Sequence, residues 1–542
     1  MSPTVVIATL YSRLQDGLSP ARKALRDLRL RWGKPGDRDG WLARDFFDHV
    51  ADADASACID DKTWTDLEFP KIFASIDACI TPLGSQVLYR WMRTLNRDTG
   101  ALASRHAVYR ALQSDAAARE KLERALLPLR NDDDARIANF IFGALPPPLP
   151  QRALLVAWSL ASIVVLAGVI AWSWPMAIWI VMAFVNVAIL ARVCGRALAE
   201  VEMLKRCLVL IDVANALAAL AGACPSVRCL AGLRDERGNR AAVRNALRLL
   251  AFLKRPVISY GVVWLNFAFL LEPLVHMRAL AKFARLRSRL AASFELVGEV
   301  DATLAIASWL DYAGRDCPPK LVDAALLDIR DGRHPLLVDG VANSVRLDGQ
   351  SALVTGSNMA GKTTFIKMLG VNVLLGQTLG FCLASAATIP RACVMASIQA
   401  AHSIAAGKSH YFSEVETIQS FLAAPSGTGG AIFVIDELFS GTNTVERVAI
   451  ARAVLETLGR NGVVLATTHD VELQGSLGDC YRLFHFQESP EVDGYFDYTL
   501  RAGPATERNA IRLLRELGFP GEVIAPAMRY AAQDAEAAAQ TG

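Results

Sequence analysis

A run of 39 residues without a charged side chain, from Ala153 to Ala191, constrains this chain more than any other feature. One membrane crossing takes about 20 apolar residues, so the run is long enough for two. Near its middle stands Trp172-Ser173-Trp174-Pro175. Tryptophan favours the membrane interface and proline interrupts helices, so these residues predict a tight turn at a water boundary. The run therefore predicts a transmembrane hairpin; the alternative is a pair of core helices in a large all-α domain.

Basic residues flank this run, with Arg152 before it and Arg192 and Arg196 after it. Positive charge collects on the cytoplasmic side of membrane segments, so both ends are predicted to face the cytoplasm. Two crossings return the chain to its starting side, which predicts a protein of the cytoplasmic membrane with both large segments in the cytoplasm. A second apolar run, Pro256 to Leu271, has 16 residues and is short for a crossing, so it is interpreted as a buried helix.

The overall composition is consistent with apolar residues that are concentrated in one part of the chain. Of 542 residues, 53% are hydrophobic and 20% are charged, which excludes a mainly disordered chain, and the length predicts about two to four domains. The net charge of +3 neither requires nor excludes a nucleic-acid or lipid partner. The ten cysteines include no Cys-x-x-Cys pair, so neither a zinc ribbon nor a disulfide framework is predicted.

The rest of the sequence divides into a helical part and an α/β part. Apolar spacing and good helix formers predict helices at four places: Ala21 to Leu30, Ile72 to Leu95, Ala197 to Ala221 and Ala241 to Leu310. After Pro318-Pro319, short β-branched runs alternate with helical patterns: Ser351 to Thr355, Ala431 to Ile435 and Gly462 to Thr467. This alternation predicts a parallel sheet covered by helices. Asp132-Asp133-Asp134 is interpreted as a solvated turn, and residues 143–148 as a stiff linker.

The strongest chemical signal is Gly356-Ser357-Asn358-Met359-Ala360-Gly361-Lys362-Thr363, a complete G-x-x-x-x-G-K-[ST] motif. It follows an apolar run and precedes a helical pattern, the strand–loop–helix context of a phosphate-binding loop. Glycines let the backbone close around phosphates, so amide groups and the helix N-terminus face negative charge. Lys362 is predicted to bridge the β- and γ-phosphates of ATP, and Thr363 to bind Mg²⁺.

Two later strands end in polar residues that complete such a site. The run from Ala431 to Ile435 leads into Asp436 and Glu437, the pattern of a Walker B strand. Asp436 is predicted to hold Mg²⁺ through water, and Glu437 to polarise the attacking water as general base. The third run, Gly462 to Thr467, is followed by Thr468 and then by His469, which is a candidate sensor of the γ-phosphate. The alternative for His469 is a histidine that only caps the end of a strand.

The order of these motifs is that of the ABC-type ATPases, and the surrounding residues resemble the DNA mismatch-repair ATPases, the MutS family. TGSNMAGKTT, from Thr355 to Thr364, resembles the family loop TGPNMxGKST and adds Thr364 to the nucleotide-binding residues. DELFSGTN, from Asp436 to Asn443, resembles DEIGRGTS. DGRHPL, from Asp331 to Leu336, resembles the GRHPV element beside the nucleotide base, which implies that His334 lies there.

One further loop resemblance implies a dimer. GKSHYFSE, from Gly407 to Glu414, is similar to the family loop SGRSTFMVE. By that resemblance Ser409 would reach the γ-phosphate bound by a second protomer, so two ATPase domains would work as a homodimer.

Less specific resemblances reach from about residue 60 to residue 530. Asp61 to Leu67 and Ile80 to Leu88 look like the start of the MutS core domain, Glu299 to Leu310 like the end of its lever helices, and Asn509 to Ile524 like its closing helices. The family's mismatch-reading domain, with its Phe-x-Glu wedge, and its connector domain have no counterpart in this sequence. The resemblance therefore implies the ATPase and its dimerisation, but not mismatch recognition.

Contact with DNA has to be inferred from charge. One basic region contains Arg228, Arg234, Arg237, Arg240, Arg244 and Arg248, and another contains Arg278, Lys282, Arg285, Arg287 and Arg289. Such stripes can neutralise DNA phosphates without reading the sequence, and near a membrane hairpin they can bind anionic lipid. The alternative is a solvated helix face with acidic residues nearby.

These observations predict a mostly helical core and lever region with a transmembrane hairpin, followed by a C-terminal P-loop, ABC-type α/β ATPase domain. The predicted domains are a helical MutS-core-like region at 1–150, the hairpin at 151–195, a lever-like region at 196–318, the ATPase at 319–530 and a disordered tail at 531–542. The predicted function is ATP hydrolysis by a membrane-anchored dimer clamp on double-stranded or branched DNA, in mismatch repair or a related transaction. The alternatives are a nucleotide-binding subunit of an ABC-type transporter, and a nucleotide-gated membrane scaffold that does not bind DNA.

Overall fold

The computed structural model describes residues 20–38, 40, 43–51, 58–144, 152–223, 269–337, 339–357, 360–398, 410–423, 430–439, 443–477, 481–487, 496–504 and 518–530. The chain forms two compact units. The helical unit comprises Met1–Ser56, Phe73–Trp91 and Ala107–Tyr312, and the α/β unit comprises Ala57–Ile72, Met92–His106 and Ala313–Gly542. The predicted tail at 531–542 and the predicted linker from residue 145 onward lie outside the described residues.

Long and short α-helices account for most of the chain before residue 320. Their bounds are Pro20–Arg31, Arg44–Val50, Asp61–Asp66, Phe69–Ile76, Pro82–Arg93, Thr99–Ser114, Ala116–Leu126, Arg136–Phe142, Arg152–Trp172, Met176–Ala223 and Leu271–Ala313. Local capping explains several of their starts. The carboxylate of Asp60 accepts from the Thr63 amide at 2.8 Å, and that of Asp115 accepts from the Ala118 amide at 2.9 Å. The helices Pro20–Arg31 and Met176–Ala223 confirm the helices predicted at 21–30 and 197–221.

The predicted helical stretch from Ile72 to Leu95 is interrupted. One helix ends at Ile76 and the next begins at Pro82, because the carboxylate of Asp301 accepts hydrogen bonds from the backbone between them. Asp301 accepts from the amides of Ile80 at 2.9 Å and Thr81 at 2.7 Å. Proline at the first helical position needs no amide partner, so the second helix can start there.

The acidic triplet at 132–134 is a short 3₁₀ turn, Asp132–Ala135. The prediction of a solvated turn is wrong for Asp134, whose side chain is fully buried and ion-paired with the guanidinium of Arg206. This hydrogen-bonded pairing raises the pKa of Arg206. A buried carboxylate needs such a partner, and here it comes from a residue 72 positions away in the sequence.

The uncharged run forms two helices joined by a tight turn. The turn lies at residues 173–175, where Ser173 has a positive φ of 53° and the Trp174 amide donates to the Gly168 carbonyl at 3.3 Å. Between the helices, the Trp158 indole donates to the Asn186 side chain at 2.8 Å. The outward faces are apolar and exposed: Leu160, Ile163, Val164, Ile170, Val181 and Phe184.

The first of these helices is long and apolar enough to cross a membrane. It spans Ala153–Trp172, and only 17% of its most apolar window is buried inside the protein, whereas a core helix of a soluble domain is mostly buried. The second apolar segment, Met176–Ile189, is shorter. The helical hairpin is thus observed, while its insertion into a membrane stays a prediction. The apolar run at 256–271 lies, up to residue 268, outside the described residues.

A small cavity in the helical unit holds two carboxyl groups with raised pKa values. The cavity has a volume of about 30 Å³, enough for one water molecule, and Glu123, Asp301, Ser308 and Arg31 line it. Burial raises the pKa of Glu123 to about 7 and that of Asp301 to about 6. Asp301 keeps three hydrogen bonds, including one at 2.6 Å from the Thr81 hydroxyl.

We expect Glu123 to make the helical unit more stable as the pH falls from 7.5 to 5.5. The folded unit takes up a proton near pH 7, whereas unfolded glutamate stays ionised to about pH 4.5. Glu123 should therefore contribute about 2 kcal/mol to the rise in the free energy of unfolding over this range, and Glu123→Gln removes that part. Asp301, whose pKa is raised to about 6, contributes a smaller rise that the variant keeps. Thermal unfolding of detergent-solubilised protein measures it, with the exposed Glu202→Gln as control. A Glu123→Gln variant that keeps the wild-type pH dependence would contradict this assignment.

The α/β unit contains two sheets. Their strands are β1 (Lys320–Val322), β2 (Leu326–Gly332), β3 (Asn343–Asp348), β4 (Ser351–Thr355), β5 (Ala386–Pro390), β6 (Cys393–Ser397), β7 (Ala431–Asp436), β8 (Gly462–Thr467), β9 (Tyr481–His485) and β10 (Arg501–Ala502). The larger sheet has the order β10-β9-β4-β8-β7-β6 and is parallel except at β10. The smaller has the order β1-β5-β2-β3. The predicted parallel sheet is confirmed, and so are the three predicted strands.

Helices cover the larger sheet, as its continuous apolar strands require. Their bounds are Lys362–Thr378, His410–Leu422, Thr444–Asn461 and Val471–Leu477, followed by a helix at 521–530. Buried Phe433, Val464, Leu455 and Leu473 belong to the core on one face. The predicted closing helices are observed only from residue 521, because residues 505–517 lie outside the described residues.

The segment Ala57–Ile72 covers the edge of this sheet. The hydroxyl of Thr63 accepts from the Ala396 amide at 3.0 Å, and the carboxylate of Asp66 accepts from the Ile398 amide at 2.8 Å. These side chains cap the outer side of β6, which would otherwise expose unpaired amides. Residues predicted as part of the N-terminal helical region therefore complete the α/β unit.

Candidate functional site

The glycine-rich loop leaves the buried strand β4 in a conformation that only glycine adopts easily. Gly356 has a φ of 129°, and a Cβ atom there would lie 2.5 Å from the carbonyl oxygen of Phe486. Gly361 has a φ of 102° and stands directly before the helix Lys362–Thr378. The helix N-terminus thus directly follows the glycine-rich loop, and free amides at a helix N-terminus favour the binding of phosphate. Asn358 and Met359 lie outside the described residues.

Lys362 lies inside the curve of this loop and is only 2% exposed. Its ammonium donates to the carbonyl oxygens of Gly356 at 2.6 Å and Ser357 at 3.2 Å, and lies 3.3 Å from His469 Nδ1. Burial lowers the pKa of Lys362 to about 8, although the nearby carboxylates of Glu437 and Asp436 act in the opposite direction. A phosphate would supply the counter-charge that this ammonium lacks from its carbonyl partners.

Two hydroxyl groups converge on the carboxylate of Asp436. The Thr363 hydroxyl donates to Asp436 Oδ2 at 2.8 Å, and the Thr467 hydroxyl donates to Oδ1. The sheet order explains this arrangement, because β8 lies between β4 and β7 and pairs Thr467 with Asp436. A threonine hydroxyl beside a carboxylate offers the oxygen ligands that Mg²⁺ prefers, so these residues fit the predicted metal.

Glu437 follows β7 in a left-handed conformation with a φ of 52°. Its carboxylate is hydrogen-bonded to the ring of His469, and this hydrogen bond is the largest cause that lowers the pKa of Glu437. The same turn is held from another side, since the amide of Phe439, at a φ of 57°, donates to the carboxylate of Glu414. Glu437 is thus ionised and directed to the edge where the carboxyl ends of β4, β7 and β8 meet.

A cavity of about 420 Å³ extends from the loop, within the usual size of a small-molecule pocket. Its lining includes Lys362, Thr363, Thr364, His334, Phe486 and Tyr498. Ala360, in the loop, is buried, and the Ser357 hydroxyl has no hydrogen-bond partner among the described residues. Space, aromatic walls and buried polar groups together fit a nucleotide.

His334 is placed at this cavity by the helix that follows the loop. Asn372 of that helix donates to the Arg333 carbonyl at 3.0 Å, which fixes the turn after β2. Burial lowers the pKa of His334 to about 4, so the ring is neutral. Nδ1 accepts from the Leu336 amide at 3.3 Å, whereas Nε2 has no partner in the part of the chain that the structure describes. A buried, unpaired ring nitrogen at a cavity indicates a ligand contact.

Not every predicted residue can be placed. Ser409 lies outside the described residues, as do the six arginines from 228 to 248. In the second basic region, Arg287 is not available to a phosphate, because its guanidinium donates to the backbone carbonyls of Ile141 and Gly143. Arg285 is exposed. No pattern in the sequence indicated Arg447, whose ion pair with Asp470 joins residues 23 positions apart.

Comparison with known proteins identifies the family of this region. The family model of MutS domain V matches residues 352–534, which hold the glycine-rich loop, Asp436, Glu437 and His469. The C-terminal region of this chain belongs to the MutS family. The chain is 31% identical over 256 residues to the DNA mismatch repair protein MutS of Leuconostoc mesenteroides, a match that covers 44% of this chain and 30% of that protein.

Other MutS relatives show the same extent of similarity. Identity is 30% over 270 residues with the DNA mismatch repair protein MutS of Thermus aquaticus, which covers 47% of this chain and 33% of the relative. With the DNA mismatch repair protein MutS 2 of Halobacterium salinarum it is 32% over 262 residues, 45% of this chain and 30% of the relative. The chain thus spans about a third of the length of the curated relatives it matches.

Proposed function

We propose that the α/β unit is a P-loop ATPase of the ABC type that binds and hydrolyses ATP with Mg²⁺. The observation that carries this proposal is the convergence of Lys362, Thr363, Asp436, Glu437 and His469 at one edge of the parallel sheet. They come from three separate strand ends, and nothing about folding alone requires all five there. Mg²⁺-dependent release of phosphate from ATP by the purified protein tests it directly.

Each residue takes a role that its position allows. Lys362 would bind the β- and γ-phosphates in place of the loop carbonyls, and Thr363 and Asp436 would hold Mg²⁺, which when bound would neutralise charge on those phosphates. Glu437 is ionised and can accept a proton from the attacking water. His469, in contact with Glu437 and near Lys362, is placed to sense the γ-phosphate.

The nucleoside end of ATP is assigned to the cavity beside the loop. His334 is neutral there, and its unpaired Nε2 can hydrogen-bond a base or a ribose hydroxyl. The phosphates are assigned to the loop, Gly356, Ser357, Asn358, Met359, Ala360, Gly361, Lys362, Thr363 and Thr364. Ser409 is proposed to complete the site of a second protomer, so that ATP would hold a homodimer together.

We further propose DNA as the partner, since the relatives named above are DNA mismatch repair proteins. The ATPase rate should rise with double-stranded or branched DNA. The affinity should fall about tenfold or more between about 50 and about 200 mM salt, because bound phosphates release counterions. Arg285→Gln should weaken DNA binding. Lys205→Gln should not, because the Lys205 ammonium is already paired with Glu202 at 2.7 Å.

The measurement is the ATPase rate and the DNA affinity against duplex, mismatched, branched and single-stranded DNA at both salt concentrations. Absence of binding to all four at low salt would contradict the DNA proposal and favour the nucleotide-gated scaffold. A preference for mismatched duplex over perfect duplex is not expected, because the mismatch-reading domain of the MutS family has no counterpart in this sequence.

The exposed apolar hairpin is proposed to anchor the protein in the cytoplasmic membrane, with both large segments in the cytoplasm. Its support is the uncharged run at 153–191 together with the low burial of Ala153–Trp172. Lipid would cover the side chains that the protein itself leaves exposed. The alternative of a transporter subunit needs further spans from other subunits, because two crossings do not enclose a path for a substrate.

A further inference from the structure

Arg447 and Asp470 form an ion pair beside the candidate site that the roles proposed above do not use. The guanidinium of Arg447 donates from Nη2 to Asp470 Oδ1 at 2.7 Å and from Nε to Oδ2 at 3.2 Å. The two bonds are parallel, the arrangement that gives an arginine–carboxylate pair both strength and direction. Both side chains are partly buried, with 23% of the Arg447 and 15% of the Asp470 side chain exposed. Such a pair holds its two segments at a defined separation.

One of these segments carries His469. Asp470 follows it directly, and the Asp470 amide donates to the Thr468 hydroxyl at 3.0 Å. The Thr468 amide donates in turn to the Val354 carbonyl at 3.1 Å, which ties the turn to strand β4. The backbone of His469 thus lies between a hydrogen bond to the sheet and the ion pair with Arg447, which fix the position of the residue on both sides.

The other segment follows Glu437. Arg447 is in the first turn of the helix Thr444–Asn461, whose start is capped by the Asn443 side chain through the Val445 amide at 3.1 Å. The Arg447 amide also donates to the Asn443 carbonyl at 2.8 Å. These contacts link the two segments twice. The Glu437 carboxylate contacts His469, and Asp470, the next residue, binds Arg447, which lies ten positions after Glu437.

We propose that Arg447 and Asp470 are positioning residues that hold the ring of His469 against the carboxylate of Glu437. The inference rests on the proposed ATPase, in which Glu437 activates water and His469 meets the γ-phosphate. Neither Arg447 nor Asp470 touches the phosphate-binding loop in the contacts described above. Their loss should therefore slow the chemical step and leave ATP binding in place, since a small displacement of a reacting group costs rate rather than ground-state affinity.

The test compares steady-state ATP hydrolysis of full-length wild type, Arg447→Gln, Asp470→Asn and the double variant. We expect kcat to fall about tenfold in each, with KM for ATP unchanged within about twofold. The double variant should be no slower than either single one, because the two residues act as a unit. Arg447→Lys should recover part of kcat, since it restores the charge but not the second hydrogen bond.

Arg452→Gln is the matched control. Arg452 is on the same helix and pairs with Glu456 at 2.8 Å, but this pair lies on the surface, so its loss should leave kcat at the wild-type value. Thermal unfolding shows whether each variant is folded, and if Arg447→Gln is not, Asp470→Asn carries the test because it keeps the shape of the side chain.

Two results would overturn the inference. One is a kcat of Arg447→Gln and Asp470→Asn equal to that of wild type; the other is a tenfold rise in KM at constant kcat, which would place the pair in nucleotide binding. Neither result would contradict the proposed ATPase activity. A wild-type protein that hydrolyses no ATP would instead overturn the proposed function, and this inference with it.

Discussion

Replacement of Glu437 by glutamine is expected to reduce ATP hydrolysis about 100-fold or more while ATP still binds. The amide keeps the size of the carboxylate but cannot accept the proton of the attacking water. The neighbouring carboxylate, Asp436, already accepts hydrogen bonds from the Thr363 and Thr467 hydroxyl groups and is assigned to Mg²⁺. Because hydrolysis would reopen the proposed dimer, the variant should also accumulate as an ATP-bound dimer.

The measurement is phosphate release at saturating ATP, together with the molecular mass of the detergent-solubilised protein with and without ATP. Glu456→Gln is a control, because Glu456 pairs with Arg452 on the surface. Lys362→Ala is the contrasting variant: it should lower ATP affinity about tenfold to 100-fold, the usual cost of a charge-assisted hydrogen bond. Normal hydrolysis by Glu437→Gln would show that the general base has been assigned to the wrong residue.

Deletion of residues 153–191 is expected to move the protein from the membrane fraction to the soluble fraction. The deletion removes the uncharged run and joins segments that both belong to the helical unit. The full-length chain should stay with membranes in high salt and at alkaline pH, because burial of apolar side chains in lipid does not depend on charge. Recovery of the full-length protein in the soluble fraction would refute the anchor.

Single charges on the hairpin give a second and finer test. Ile163→Glu and Phe184→Glu place a carboxylate on side chains that are exposed in the structure. In lipid each should cost about 2.5–3.5 kcal/mol and reduce insertion, whereas on a soluble surface neither should matter. Leu30→Glu, at an exposed apolar position of the helix Pro20–Arg31, is the control and should leave membrane binding unchanged.

Much of the candidate site could be predicted from the sequence because its chemistry depends on local patterns. Gly356 and Gly361 stand where the backbone has a positive φ, and strands end at Thr355, Asp436 and Thr467 as the apolar runs indicate. The same locality made the turn at 173–175 predictable, since proline and tryptophan act through their own chemistry. His334 was reached by resemblance, and the structure adds its burial and its contact with the cavity.

The failures share a different physical cause. The break at 77–81 depends on Asp301, and the burial of Asp134 depends on Arg206. Arg287, named as part of the second basic region, is bound by backbone carbonyls. In each case the partner is far away in the sequence, so no periodicity or spacing records the contact.

The sequence by itself therefore determined the parallel α/β unit, the glycine-rich loop with its acidic strand end, and the two-helix hairpin. These follow from residue types at fixed short spacings, which set backbone conformation directly. Only the tertiary structure decided that 57–72 covers strand β6, that Glu123 and Asp301 line the same small cavity, and that Arg447 holds the turn beside His469. Such pairings are selected by the packing of the whole chain, where burial of a charge requires whichever partner the fold brings within reach.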